Sequence, residues 1–163
     1  MVVPVLKMSL LSLVLLLSLH VSAGMACFGP KLFIGLVPGL EGEMRYHLVS
    51  IYLHEKTGID STPVELKDNQ TALDAIALQE IDLGFAVDTP TDRIAVLQLD
   101  DGLKLYSGER PLNNLQFSTV GRVFKKLQKR IDQTNLNAVR QRIRAGSLPA
   151  TAIRDFMMEH GWI

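Results

Sequence analysis

Residues 31–87 alternate short apolar runs with amphipathic stretches, and that order constrains the fold more than any other feature of the chain. Residues 31–36 (KLFIGL) are a strand-length apolar run that stops at Val37-Pro38-Gly39, where a proline and a glycine cannot continue a buried ladder. From residue 41 to residue 57, Met44, Leu48, Ile51 and Tyr52 recur at helical spacing, with Glu41 and Glu43 in the first turn and Gly58 as the stop. Residues 64–66 read as a second strand, Ala72, Ile76 and Ala77 as the apolar side of a second helix, and residues 81–85 (IDLGF) as a third strand. Strands separated by helices predict parallel pairing. In a parallel sheet, ligands gather beyond the carboxyl ends of the strands, where helix N-termini offer free N–H groups. Here those ends are residues 37–42, 67–71 and 84–88.

The rest of the chain adds strands and then helices. Residues 93–97 (RIAVL) predict a fourth strand, reached through a polar connection that contains Pro90. Asp100-Asp101-Gly102 predicts a turn, residues 103–106 a short return strand, and residues 110–114 a loop. Ser118 is placed to cap a helix carrying Val120, Val123, Phe124, Leu127 and Ile131. Asp132 is placed to cap a helix with Leu136, Val139 and Ile143 that ends before Gly146, and Pro149 to open a last one closed by Gly161. The fold class predicted is α/β: a three-layer sandwich with a mostly parallel sheet and the C-terminal helices packed on it.

At 163 residues and 47% apolar content the chain is sufficient for one core. Its formal net charge of zero provides no global field to recruit nucleic acid or an anionic membrane. A single cysteine, Cys27, excludes an intramolecular disulfide framework and a multi-cysteine metal site. Residues 1–23 carry the pattern of a signal peptide: Lys7, an uninterrupted apolar run, then Val21-Ser22-Ala23. Residues 24–30 follow as a tether and 31–163 as the folded lobe. Two further fates are compatible with the same stretch. No Asp, Glu, Lys or Arg lies between Lys7 and Lys31, so the segment also suits an uncleaved anchor, and Gly24-Met25-Ala26-Cys27 partly matches a lipidation site at Cys27. All three place the body outside the cytoplasm, in the periplasm or on the outer face of the membrane.

Four collinear blocks resemble a known family, the extracytoplasmic solute-binding proteins of ABC importers for glycine betaine, choline and related osmoprotectants. Ile34-Gly35 with Glu41 and the helix ending Glu55-Lys56-Thr57-Gly58 resembles the first strand, binding loop and helix of that family. Residues 75–83 (AIALQEIDL), 95–102 (AVLQLDDG) and 152–162 (AIRDFMMEHGW) resemble later segments in the same order. The resemblance implies one lobe of a type II periplasmic binding protein that takes part in transmembrane transport. Its partners would be a quaternary-ammonium or amino-acid-like solute and an ABC permease, with no cofactor, no nucleic acid and no catalytic role. The ligand-binding candidates are Pro38, Gly39 and Glu41 in the first loop, and Asn69, Thr71 and Asp88 in the other two. The last three are also residue types that cap turns and helices.

The chain departs from the family in two ways. A second lobe is inserted after the third strand in the family, whereas residues 86–92 alone bridge that point here. The missing lobe would be supplied by a partner or by self-association. The tyrosines that the family places near residues 84–87 are also absent, leaving Tyr46, Phe85 and Tyr106 as aromatic candidates for a cation cage, each equally suited to a core. An alternative reading follows: a non-catalytic interaction module that keeps the lobe but has lost small-molecule binding.

Other chemistry has little support. His47 and His54 are two turns apart, too far for adjacent-turn metal ligation, and no nucleophile elbow or phosphate loop occurs. Residues 122–144 are rich in Lys and Arg, a composition that suits nucleic acid, anionic lipid headgroups or an acidic protein surface; the cations alternate with an apolar stripe, which favours the wet face of two helices, and export leaves lipid headgroups or a partner protein as the functional options.

Overall fold

Leu32 and Ile34 are fully buried while Phe33, between them, is 40% exposed, so the first strand presents its two faces to different environments. The computed structural model describes residues 29–67, 70–87, 92–99 and 102–163. It contains β1 (Lys31–Leu36), α1 (Leu40–Thr57), β2 (Asp60–Glu65), α2 (Ala72–Ala77), β3 (Leu83–Ala86), β4 (Ile94–Gln98) and β5 (Lys104–Ser107). Then come α3 (Glu109–Asn113), a single 3₁₀ turn (Leu115–Phe117), α4 (Val120–Gln128), α5 (Gln133–Arg144) and α6 (Pro149–Glu159).

The strands form one sheet in the order β2-β1-β3-β5-β4. β2, β1 and β3 run parallel, and β5 lies antiparallel between β3 and β4. The sheet is therefore mixed rather than mostly parallel, because the return strand is inserted between its two predecessors instead of being added at the edge. Ile94 and Leu83 both face Ser107 across β5, so β4 starts at the level where β3 starts. The connection after Ala86 thus returns from the carboxyl end of the sheet to its opposite end.

Two clusters of buried side chains give three layers. On one face α1, α4, α5 and α6 enclose the main core, which includes Leu32, Ile34, Leu48, Tyr52, Leu105, Phe124, Ile153 and Phe156. On the other face α2 covers Ile81 and Tyr106 with Ala72, Ala75 and Ile76. This short helix can lie close because Gly84 is bare beneath it: a Cβ there would stand 2.8 Å from the Ala72 methyl.

Local chemistry explains most boundaries. α1 ends at Gly58, which adopts the left-handed conformation and donates its N–H to the His54 carbonyl at 2.7 Å. Asp132 caps α5 by accepting the Asn135 N–H at 2.7 Å, and Pro149 opens α6 at a position that needs no N–H. Three expectations need correction. The second strand begins at Asp60, not residue 64, and runs through Pro63, which is tolerated because β2 is an edge strand. Residues 110–114 are largely helical: Pro111 lies in the first turn of α3, where a missing N–H costs nothing. Ser118 does not cap α4, because the chain enters that helix from the 3₁₀ turn with Ser118 already helical.

Candidate functional site

The carboxyl ends of β1, β2 and β3 lie along one edge of the sheet, as parallel pairing requires. Val37, Pro38 and Leu40 are exposed in the first loop, and Val87 is exposed after β3. Ile34 pairs with Leu83 in neighbouring parallel strands, so the loops after β1 and β3 leave the sheet from adjacent strand ends. Val37, Leu40 and Val87 are 50%, 60% and 64% exposed.

The described polar candidates on this edge, Glu41 and Thr71, have intramolecular partners. Gly39 precedes α1 with φ +109° and provides no side-chain cap. The Glu41 carboxylate accepts from Arg140 Nε at 3.1 and 3.2 Å, which ties the start of α1 to α5, and Arg140 also donates to Asn137 Oδ1 at 3.0 Å. Thr71 forms a capping box with Asp74: its hydroxyl oxygen accepts the Asp74 N–H at 3.1 Å, and the Asp74 carboxylate accepts the Thr71 hydroxyl at 2.6 Å and N–H at 3.3 Å. Those bonds hold the Asp74 carboxyl below its ordinary pKa. In the second loop Lys67 and Gln70 both donate to the Glu80 carboxylate, at 3.0 and 2.7 Å, and Gln70 first, then Lys67, draw its pKa down. Asn69, Asp88 and Cys27 lie outside the described residues.

The aromatic candidates do not converge. Tyr46 is buried in the main core with its hydroxyl donating to the Ser61 carbonyl at 3.2 Å, and Phe85 packs partly buried against the same core. Tyr106 is buried in the cluster on the opposite face of the sheet. The two histidines have separate settings: burial lowers the pKa of His47, which lies edge-on to Tyr46, whereas His54 Nδ1 is 3.0 Å from Asp60. Among the described residues no three His, Cys, Asp or Glu side chains gather in a way that suits a metal ion.

One concavity adjoins Glu41 and another lies at the opposite end of the sheet. A groove of about 230 Å³ between α1 and α5 is lined by Leu40, Glu41, Met44, Arg140, Ile143 and Arg144. A second, of about 290 Å³, lies at the amino end of the parallel strands around Asp82 and Arg110, with Phe33, Ile76 and Gln79 on its walls. Asp82 is buried, and both its carboxylate oxygens accept hydrogen bonds: Arg110 Nε donates at 2.7 Å, Arg110 Nη2 donates to the other oxygen, and the Phe33 N–H donates at 2.7 Å. Arg110 also reaches the Lys31 carbonyl at 2.8 Å and lies over the rings of Phe33 and Phe117. This is a latch joining β1, β3 and α3. Sequence reasoning passed over it because Asp82 reads as part of a strand and its partner lies 28 residues away.

No family model, curated protein or solved structure matches the chain. No helix among the described residues is long and apolar enough to cross a membrane.

Proposed function

We propose that this chain is an exported, single-lobed relative of the osmoprotectant-binding proteins that works as a non-catalytic interaction module rather than as a solute carrier. The observation that carries this reading is the Glu41–Arg140 pair. The carboxylate best placed in the first loop is held at 3.1 and 3.2 Å by an arginine of α5, so a solute would have to displace that arginine. The groove beside it has two arginines and one carboxylate, a poor setting for a quaternary ammonium ion. The edge above carries exposed Val37, Leu40 and Val87 where the chain leaves adjacent strand ends, which suits a protein surface better than a small polar solute. A permease, a second lobe or a second copy of the chain would dock there.

The second reading, solute binding in support of an ABC importer, draws on the groove of about 230 Å³ at Glu41. Thermal denaturation of the full-length chain in neutral detergent, with betaine, choline, carnitine and proline at millimolar concentration, separates the two. A bound ligand at a hundredfold its dissociation constant stabilises by about 2.7 kcal/mol. The interaction reading predicts no saturable shift with any of these compounds. A saturable shift that Glu41→Gln abolishes would restore the solute-binding reading.

A further inference from the structure

Most arginines on the helical face are paired with acids. Arg140 meets Glu41, Arg142 meets Glu159 and Arg154 meets Glu55. Several cations depart from that rule, and four of them gather in one place. Lys56 at the end of α1, with Lys126, Lys129 and Arg130 at and after the end of α4, surrounds a concavity of about 440 Å³ whose floor includes Tyr52. None of the four has a carboxylate partner among the described residues; Lys56 instead lies 5.8 Å over the Tyr52 ring. Helix dipoles account for part of this charge. Two helix C-termini end here, and each carries roughly −0.5 of a unit charge, so about one of the four positive charges is offset. About three remain uncompensated within one small hollow.

Position adds a second constraint. Lys31, where the described strand begins, pairs with Asp60, and His54 in the last turns of α1 holds Asp60 at 3.0 Å. Lys56 is in that same last turn, so the hollow borders the end of the fold where the apolar residues 8–30 join it. If those residues rest in a bilayer, this end of the lobe faces the headgroups.

We infer that the hollow formed by Tyr52, Lys56, Lys126, Lys129 and Arg130 is a binding site for a phosphate anion, presented by the headgroup of a net-anionic phospholipid or free in solution. Arg130 provides a planar fork that suits phosphate oxygens, and the lysines provide point charges around it. Juxtamembrane clusters of this kind attract anionic leaflets. The inference rests on the export reading only for the lipid source, not for the phosphate chemistry.

The test uses the full-length chain in neutral detergent micelles, following backbone amide shifts at residues 56, 126, 129 and 130. Dihexanoyl phosphatidylglycerol, dihexanoyl phosphatidylcholine and inorganic phosphate are titrated separately at constant ionic strength. Saturable shifts with phosphatidylglycerol but not phosphatidylcholine or inorganic phosphate identify the headgroup as the source; saturation with inorganic phosphate identifies the free anion. Lys126→Glu with Lys129→Glu should weaken binding at least tenfold. Arg122→Glu with Lys125→Glu, an equal change of charge on the same helix outside the hollow, should weaken it less than threefold. The Lys126/Lys129 variant should also melt at a higher temperature than wild type without ligand, because repulsion is relieved, whereas cations that merely complement helix ends would give a lower one. Equal loss in both variants, no saturation with either anion, or a lowered melting temperature in the pocket variant overturns the inference.

Discussion

Arg110 closes on both carboxylate oxygens of Asp82, and the burden of that pair is unequal, because the Asp82 side chain is 7% exposed and that of Arg110 is 42% exposed. The partly wet guanidinium can turn to solvent if its partner is lost. The buried carboxylate cannot. Arg110→Met should therefore destabilise by about 3 kcal/mol, the lower end of the range for breaking a buried pair. Asp82→Asn keeps an acceptor for the Phe33 N–H and should cost about 1 kcal/mol. Urea denaturation of the two variants checks the order, and a larger loss for Asp82→Asn would contradict this account of the latch.

Gly42 sits inside the first turns of α1, yet alanine should not help there. An added Cβ would stand 1.8 Å from the Val37 carbonyl oxygen, a backbone atom that can move only if the whole loop shifts. Overpacking of this kind costs about 1–3 kcal/mol and exceeds the gain of about 1 kcal/mol in helix propensity. Gly121 in α4 has nothing within 4 Å of its added Cβ, so Gly121→Ala should stabilise by about 0.5–1 kcal/mol. Opposite signs in the two melting curves are the expected outcome.

The capping box of α2 should respond to acid. Thr71→Ala removes the N-cap acceptor and should cost about 1 kcal/mol at neutral pH. Asp74 has a lowered folded pKa because the Thr71 hydroxyl and N–H bind its ionised form. Its contribution is fully present above the unfolded value of about 4 and is lost as pH falls through the lowered folded value. The gap between wild type and Thr71→Ala should consequently narrow as pH falls from about 5 into the acid range. Urea midpoints across that range test it, and a gap that widens on acidification would contradict it.

The elements with dense local punctuation were the legible ones. α1 has acids in its first turn and Gly58 at its end, while Asp132 and Pro149 each mark a helix start from their own chemistry. The three carboxyl-end loops also followed from the order of strands and helices. What escaped depended on tertiary position. β2 runs through Pro63 and α3 contains Pro111, and only an edge strand and a first helical turn make those prolines acceptable. The Glu41–Arg140 pair spans 99 residues, and no local pattern announces it. The intramolecular partner of Glu41 was hidden because a contact between distant segments leaves no mark on local spacing.

The most direct test of the interaction reading is photo-crosslinking in the native envelope. p-Benzoylphenylalanine is placed singly at Leu40 or Val87 on the carboxyl edge, with Met158, an exposed residue at the end of α6, as the control position. The account predicts a discrete adduct, with a second copy or with a membrane protein, from positions 40 and 87 and none from 158; Leu40→Asp should abolish the adduct formed from position 87. Equal yields at all three positions, or no adduct from either edge position in folded protein, would contradict the claim that this edge is the docking face.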